Sequence, residues 1–321
     1  MPSGNKMGGR GPGGGPRVLR GLGLHGGLHG AVALFGLAGL FGKWVDAHPL
    51  VIVAGRVAVA SAAFLVLLRW GGGRFGGGKP RSPAAEISRP DRLLLAGSGA
   101  VLAFHWFAFF HAIQLSSVAL GLLSYSTAPV FVVLLEPLWF RERASYRALG
   151  WAALTLAGVL LIVPPADTAS WIPWGEGLGA AHRGILWGVA SGLSFAVLSL
   201  LNRDLVGRHA GIRVAFHQDA AALAFLLPWL PFVWRPLGWE DWALLAVLGL
   251  ACTALAHTLF IQALKTVKAR LAAITSALEP VYGVALAWWL LDEVPAGQAL
   301  LGGGLILLAV LGAGLSDRTR A

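Results

Sequence analysis

The chain has 321 residues, of which 56% are hydrophobic and only 12% charged, and its mean hydropathy is +0.70. A soluble domain carries about 25% charged residues to cover its surface, so this composition excludes an ordinary soluble protein and predicts a lipid bilayer as partner. The net charge of +10 would suggest nucleic acid in a soluble protein, but here the basic residues lie between apolar segments, so no nucleic-acid partner is expected.

The chain begins with a Gly/Pro-rich basic stretch, and we predict a disordered cytoplasmic tail over residues 1–25. A cleaved signal peptide is the rival interpretation, but no small-residue cleavage site leads into a polar mature domain. Crossing a bilayer takes about 20 helical residues. Apolar runs of about this length recur ten times, at 26–42, 50–69, 93–112, 118–140, 147–164, 184–201, 214–233, 242–263, 271–291 and 297–315.

Lys and Arg are concentrated in alternate loops between these runs. Lys43, Arg183 and Arg235 lie in the other set of loops, and Arg56 lies inside the second run. Cytoplasmic loops carry the excess of Lys and Arg. We therefore expect a multi-pass protein of the cell (inner) membrane with its N- and C-termini in the cytoplasm.

The second half of the chain repeats the first at a shift of 151 residues, which places Ala112 on Ala263 and Pro129 on Pro280. Because each half holds five predicted spans, an odd number, the second half must enter from the opposite side of the membrane. The predicted fold is an all-α integral membrane protein with ten transmembrane helices in two inverted-topology five-helix repeats. The predicted parts after the tail are a first repeat, an extracytoplasmic linker, a second repeat and a cytoplasmic tail, at 26–164, 165–183, 184–315 and 316–321.

Two stretches carry a resemblance to a known family. FFHAIQLSSVALGLLSYSTAPVFVVLLEPLWFRER and ALEPVYGVALAWWLLDE resemble the fourth and ninth helices of EamA-type transporters of the drug/metabolite transporter superfamily. Arg56 also lies where many members carry an arginine. The resemblance implies two inverted halves around a central cavity, lined by helices one to four and six to nine. It further implies a small-molecule substrate, such as an amino acid, another metabolite or a drug, frequently moved outward.

Candidate substrate-binding residues surround two matched prolines. A proline inside a helix removes a backbone donor, and matched helix breaks in the two halves of a transporter indicate the binding site. A packing kink, and hydrogen bonds between helices for the nearby hydroxyls, are the alternatives. The candidates of this group are Tyr125, Ser126, Pro129, Ser276, Pro280 and Tyr282.

Ionisable residues inside the spans are the second group of candidates. An intramembrane acid is expensive and usually faces a cavity or a partner, so Glu279 could bind a cation, a proton or a substrate amine. Arg56 could receive a substrate carboxylate, and a structural ion pair is the alternative for both residues. His105, His257 and Asp219 are candidates for a proton relay, with ordinary packing or interfacial solvation as the alternative.

No HExxH, GxSxG or Walker motif is present, and a single Cys252 allows neither an internal disulfide nor a thiolate metal site. We therefore expect no enzyme, no catalytic residues, no cofactor and no metal. The predicted function is secondary active transport of small metabolites such as amino acids, in the outward direction, by alternating access around a midplane cavity. An intramembrane lipid-modifying enzyme and a non-transporting membrane scaffold or channel remain alternatives, and a homodimer is left open.

Overall fold

The computed structural model describes residues 17–70, 87–141, 146–162, 179–265, 267, 272, 275–276 and 278–318. Within these residues every regular element is a helix. The helices are α1 Arg17–Trp44, α2 Pro49–Trp70, α3 Arg89–Leu115, α4 Val118–Tyr125, α5 Ala128–Phe140, α6 Tyr146–Ile162, α7 Ala180–Val206, α8 Gly211–Leu226, α9 Leu230–Val233, α10 Trp239–Gly249, α11 Ala256–Ala263, α12 Glu279–Leu291 and α13 Gly297–Arg318. A 3₁₀ turn at Leu227–Trp229 precedes α9, and a π-helix at Leu250–Leu255 joins α10 to α11.

Five helical segments of the described chain are long and apolar enough to cross a membrane. They are Pro49–Arg69, Arg89–Leu115, Val118–Phe140, Ala180–Val206 and Trp239–Ala263. Shorter apolar helices lie at Tyr146–Ile162 and Gly297–Ala309. The chain is thus a helical, multi-pass membrane protein, while the count of ten spans remains a prediction.

The matched prolines lie in the first turns of helices, which corrects the expectation of a proline inside each helix. α4 ends at Tyr125, Ser126 and Thr127 form a turn, and Pro129 occupies the first turn of α5. A proline is tolerated there because its missing N–H would have no intrahelical acceptor. Pro280 has the same position in α12. The fourth span is interrupted as predicted. The interruption is the turn at Ser126 and Thr127, which precedes Pro129.

The backbone repeats at the shift of 151 residues seen in the sequence. α5 and α12 are both 13 residues long, and each begins with a proline in its first turn. Arg141 ends α5 with φ 54° and Asp292 ends α12 with φ 53°. Among the described residues these are the only non-glycine residues with positive φ. The two halves therefore share their local geometry as well as their sequence pattern.

The helices of the first half pack on those of the second. α3 packs against α7 and α8, and α1 packs against α11 and α12. α2 contacts α8 and α10, α4 contacts both α7 and α12, and α6 pairs with α13. If each helix is replaced by its counterpart in the other half, most of these helix pairs remain contacting pairs. For example, the contact of α3 with α7 corresponds to that of α11 with α1. Such correspondence is expected of a two-repeat fold. Whether the second repeat is inverted stays a prediction.

Close approaches at glycines bring the first helix of each half onto the interrupted helix of the other half. A Cβ atom on Gly36 of α1 would lie 2.8 Å from the carbonyl oxygen of Glu279. A Cβ atom on Gly192 of α7 would lie 2.8 Å from the carbonyl oxygen of Tyr125. Because real Cβ atoms do not approach backbone atoms this closely, only glycine permits these contacts. Both contacts lie at the interrupted fourth span and its counterpart.

Some predicted boundaries differ from the structure. α1 begins at Arg17, so the last part of the predicted 1–25 tail is helical, while residues 1–16 lie outside the described residues. Most of the predicted 165–183 linker also lies outside them, and α7 begins at Ala180. α13 extends to Arg318, into the predicted tail at 316–321.

Candidate functional site

A cavity lies where the helices of the two halves meet. It encloses about 500 Å³ not occupied by atoms, including the part that opens to the outside. Its wall is formed by Phe35, Ala38, Arg56, Leu102, His105, Trp106, Phe109, Tyr125, Phe195, Leu198, Asn202, His257, Phe260 and Glu279.

Arg56 supplies a positive charge to the wall of this cavity. Its side chain is 1% exposed. Its Nε donates a hydrogen bond to Thr253 Oγ1 at 2.8 Å, and its Nη2 donates to the carbonyl of Cys252 at 3.2 Å. The guanidinium lies 3.9 Å from the ring centroid of Trp106, a cation–π contact. The guanidinium is therefore held in one orientation by three neighbours.

The π-helix provides the backbone carbonyl and the hydroxyl that accept hydrogen bonds from Arg56. Residues 250–255 take π geometry, and the Thr253 hydroxyl donates to the carbonyl of Leu248 at 2.7 Å. π-helical turns inside α-helices occur frequently at functional sites. Here the turn presents the Cys252 carbonyl and the Thr253 oxygen to a buried cation.

Glu279 places a carboxyl group in the wall of the same cavity. It is 4% exposed and is the first residue of α12. The free N–H groups of a helix N-terminus favour a carboxylate, so the first position of α12 is a suitable place for this acid. Glu279 also lies within electrostatic reach of Arg56. A cation and an acid thus line one buried space.

Aromatic rings form a continuous part of the wall. The centroids of Phe35 and Phe260 are 5.8 Å apart, and those of Phe260 and Phe195 are 5.4 Å apart. Tyr125 follows at 5.4 Å from Phe195, and Phe109 at 5.8 Å from Tyr125. Aromatic pairs prefer tilted and edge-on arrangements at such spacings. The wall is therefore aromatic and apolar next to its ionisable residues.

The three candidates for a proton relay have different surroundings. His105 lines the cavity, and its Nδ1 lies 3.0 Å from both the carbonyl oxygen and the hydroxyl of Ser191. His257 also lines the cavity, and its Nδ1 lies 3.4 Å from Oδ1 of Asp219. Asp219 is completely buried and is not among the lining residues. The structure thus brings two of the candidates into one pair.

A polar chain behind the cavity was not predicted from the sequence. Nε2 of Gln218 donates to Asn202 Oδ1 at 2.6 Å and to Ser98 Oγ at 2.9 Å. The three residues belong to α8, α7 and α3, so the chain ties these helices together. Asn202 is the member that reaches the cavity wall. In the sequence these three residues appear only as single polar residues on apolar helices. Such residues are explained equally well by hydrogen bonds between helices as by a binding site.

Five predicted substrate-binding residues do not line the cavity. Ser126 and Ser276 are buried, and their hydroxyls donate to the carbonyls of Leu122 and Ala272 in the preceding turn at 3.0 Å each. These bonds stay within one helical turn, so they are neither contacts to the cavity nor the bonds between helices considered as the alternative. Pro129 and Pro280 are buried in the first turns of their helices, and Tyr282 is 38% exposed. The residues that the structure does bring together are Arg56, His105, Tyr125, His257 and Glu279.

The model of the EamA-like transporter family matches two segments of the chain, residues 27–163 and 182–315. The two matches fall on the two halves that share helix geometry. Among the described residues, no group of three or more His, Cys, Asp or Glu side chains could hold a metal ion.

Several curated relatives are similar over most of their length. An uncharacterised transporter of Archaeoglobus fulgidus is 31% identical over 70% of this chain and 77% of the relative. The pseudopaline exporter of Pseudomonas aeruginosa is 28% identical over 72% of this chain and 78% of its own. A probable terminal-alkyne amino-acid exporter of Streptantibioticus cattleyicolor is 25% identical over 80% of both chains.

A solved crystal structure, described only as that of a protein, superposes with a TM-score of 0.64. It is 21% identical in sequence, and the match covers 93% of this chain and 99% of the other. At this identity the likeness establishes a shared fold alone.

Proposed function

The chain belongs to the EamA-like transporter family, and on that premise we propose that it exports small amphoteric metabolites, amino acids among them, by secondary active transport. The observation that carries this proposal is the placement of Arg56 and Glu279 in the wall of one buried cavity. A molecule with one carboxylate and one ammonium group offers each of them an opposite charge. In a site of low polarity such paired contacts are stronger than in water.

The aromatic wall supports a substrate that also carries an apolar group. Phe195, Phe260 and Tyr125 border the same space as the two charges. Sites of this kind are lined mostly by apolar side chains, with a few polar groups that fix orientation. Two relatives named as exporters, of pseudopaline and of a terminal-alkyne amino acid, fit this class of cargo.

Alternating access is the mechanism that we propose for this fold. α4 and α5 are separated at Ser126 and Thr127, and α12 starts at the matched position. Each of these sites packs on a glycine of the first helix in the other half. Interrupted helices that line a cavity can absorb the rocking of one repeat against the other. The repeats are proposed to be inverted, in a bundle of ten spans.

The proposed location is the cell membrane, with both termini in the cytoplasm. This orientation rests on the alternation of Lys and Arg between loops. An enzymatic or scaffolding role receives no support from the relatives, which are named as transporters and exporters.

The test is counterflow in proteoliposomes that hold the purified full-length chain. L-phenylalanine is the first probe because it has both charges and an aromatic side chain, and a broad amino-acid panel follows. We expect saturable exchange that L-phenylalanine inhibits better than phenylalaninamide, which lacks the carboxylate, or 3-phenylpropionate, which lacks the amine. No saturable exchange for any amino acid of the panel would refute the proposed substrate class. Inhibition by both singly charged analogues as strong as that by L-phenylalanine would refute it too.

A further inference from the structure

We propose that Asp219 and His257 form a proton-binding site that couples transport through the central cavity to proton movement, an inference that rests on the transport function proposed above. Asp219 belongs to α8 and His257 to α11. Their side chains are 0% and 4% exposed, with Nδ1 and Oδ1 3.4 Å apart. Neither carboxylate oxygen and neither ring nitrogen has a hydrogen-bond partner within the part of the chain that the structure describes.

Burial without hydrogen bonds makes the charge of this pair depend on one proton. The pair is neutral overall when Asp219 is ionised beside a protonated His257, and also when both groups are neutral. Each of these states contains one exchangeable proton. Removing it leaves a buried carboxylate that accepts no hydrogen bond, and buried ionised groups without partners are strongly unfavourable. Loss of this proton is therefore unfavourable unless another positive charge lies close to the pair.

Other charged and titratable groups face the pair from the helices around it. Arg56 of α2 interacts electrostatically with Asp219. It also interacts with Glu279 of α12 and Cys252 of the π-helix. From α3, His105 lies within electrostatic reach of His257. On α8 itself, Arg213 and His217 lie nearer the N-terminal end. Arg56 directs its hydrogen bonds to Thr253 and to the Cys252 carbonyl, and not to the carboxylate of Asp219.

The pair connects the cavity to a buried acid. His257 lines the cavity, whereas Asp219 is not among the lining residues, so His257 is the member of the pair that borders the proposed substrate space. Trp106 lies edge-on to His257 at 5.7 Å, and its ring also contacts Arg56. A substrate ammonium group in the cavity would bring a positive charge close to the pair and make loss of the proton less unfavourable. Proton and substrate would then exchange, which is the requirement for antiport.

The first test needs no substrate. Protein labelled with ¹⁵N-histidine is titrated by NMR, and the His257 resonance is identified by its loss in His257→Gln. We expect this resonance to change with pH in the wild type and in Asp46→Asn, a matched change at an exposed carboxylate. We expect the change to be lost in Asp219→Asn. A His257 resonance that ignores pH in the wild type, or responds equally in Asp219→Asn, would overturn the proton site.

The second test measures coupling in proteoliposomes loaded with the pH-sensitive dye pyranine. External L-phenylalanine should make the lumen of wild-type vesicles more alkaline, because one proton leaves as the amino acid enters. Asp219→Asn should still exchange labelled L-phenylalanine but lose at least nine tenths of the dye response. Equal dye responses in the two proteins, or wild-type uptake without any dye response, would overturn the coupling. If wild-type vesicles move no L-phenylalanine, the proposed function fails for this probe, while the NMR titration still decides whether the pair binds a proton.

Discussion

Arg56 and Thr253 join the two halves of the protein through a buried hydrogen bond, 2.8 Å from the guanidinium Nε to the threonine Oγ1. The threonine belongs to the only π-helical turn among the described residues, and its own hydroxyl hydrogen goes to the carbonyl of Leu248. The orientation of the cavity's arginine is thus fixed by a side chain that lies almost 200 residues away in sequence.

Replacing Thr253 with valine keeps the branched shape of the side chain but removes the acceptor of Arg56. The buried donor then lacks a partner, which should lower the free energy of unfolding by about 1–3 kcal/mol and reduce substrate exchange. Thermal unfolding in detergent and counterflow measure the two effects. Thr258→Val is the matched control, because the Thr258 hydroxyl bonds only to Ala254 in its own helix. Equal effects of the two substitutions would contradict a role for Thr253 in positioning Arg56.

The sequence indicated the charges of the site but not the elements that hold them. Arg56 and Glu279 stand out because ionisable residues are rare in apolar spans. Trp106 and Phe195 could not be distinguished from lipid-facing residues, since an aromatic residue on an apolar helix suits either environment. The π-helix at 250–255 has no reliable sequence signal, so the partner of Arg56 could only be found in the structure.

Gly192 allows α7 to contact the interruption between α4 and α5, so its replacement by alanine should be destabilising. The new Cβ atom would lie 2.6 Å from Thr127 Oγ1 and 2.8 Å from the Tyr125 carbonyl oxygen, which forces the helices apart. We expect a loss of about 1–3 kcal/mol in thermal unfolding. Gly97→Ala is the control, because nothing lies within 4 Å of the Cβ atom that it would add. It should be neutral or stabilising by up to about 1 kcal/mol. Unchanged stability of Gly192→Ala would refute the tight contact.

Glu293 stabilises a helix of the other half, and Glu293→Ala should weaken it. The backbone N–H groups of Val118 and Ala119 donate to its two carboxylate oxygens at 3.2 and 3.1 Å. Loss of such a cap costs about 0.5–2 kcal/mol, measured by thermal unfolding in detergent. Asp46→Ala, at an exposed acid, is the control and should change stability by less than about 0.5 kcal/mol. An equal loss in both variants would exclude the cap.

Local signals in the sequence predicted features of the fold, but partners across the repeat needed the structure. Glu293 follows an apolar span, but it caps α4 of the other half rather than the helix that follows it. The corresponding Glu142 lies outside the described residues. Pro129 likewise located the interruption between α4 and α5. Its position in the first turn of α5 depended on the turn at Ser126 and Thr127, which propensity alone does not specify.

The orientation of the chain can be tested with one introduced cysteine at position 76. The segment between α2 and α3 carries Arg74, Lys79 and Arg81, so it should lie in the cytoplasm. Gly76→Cys should react with a membrane-impermeant maleimide only after the cells are permeabilised. The native Cys252 is fully buried, which keeps the background low and makes the parent chain the control. Labelling in intact cells would contradict the proposed topology.

The most direct test of the proposed transport site is the counterflow rate of Glu279→Gln for L-phenylalanine, compared with wild type and Asp46→Asn at equal protein content. The amide keeps the size of the side chain and removes the charge that would face the substrate ammonium. A charged hydrogen bond contributes about 1.5–3 kcal/mol, so exchange should fall at least about tenfold, while Asp46→Asn matches wild type. Wild-type exchange by Glu279→Gln would show that this carboxylate does not bind the transported molecule.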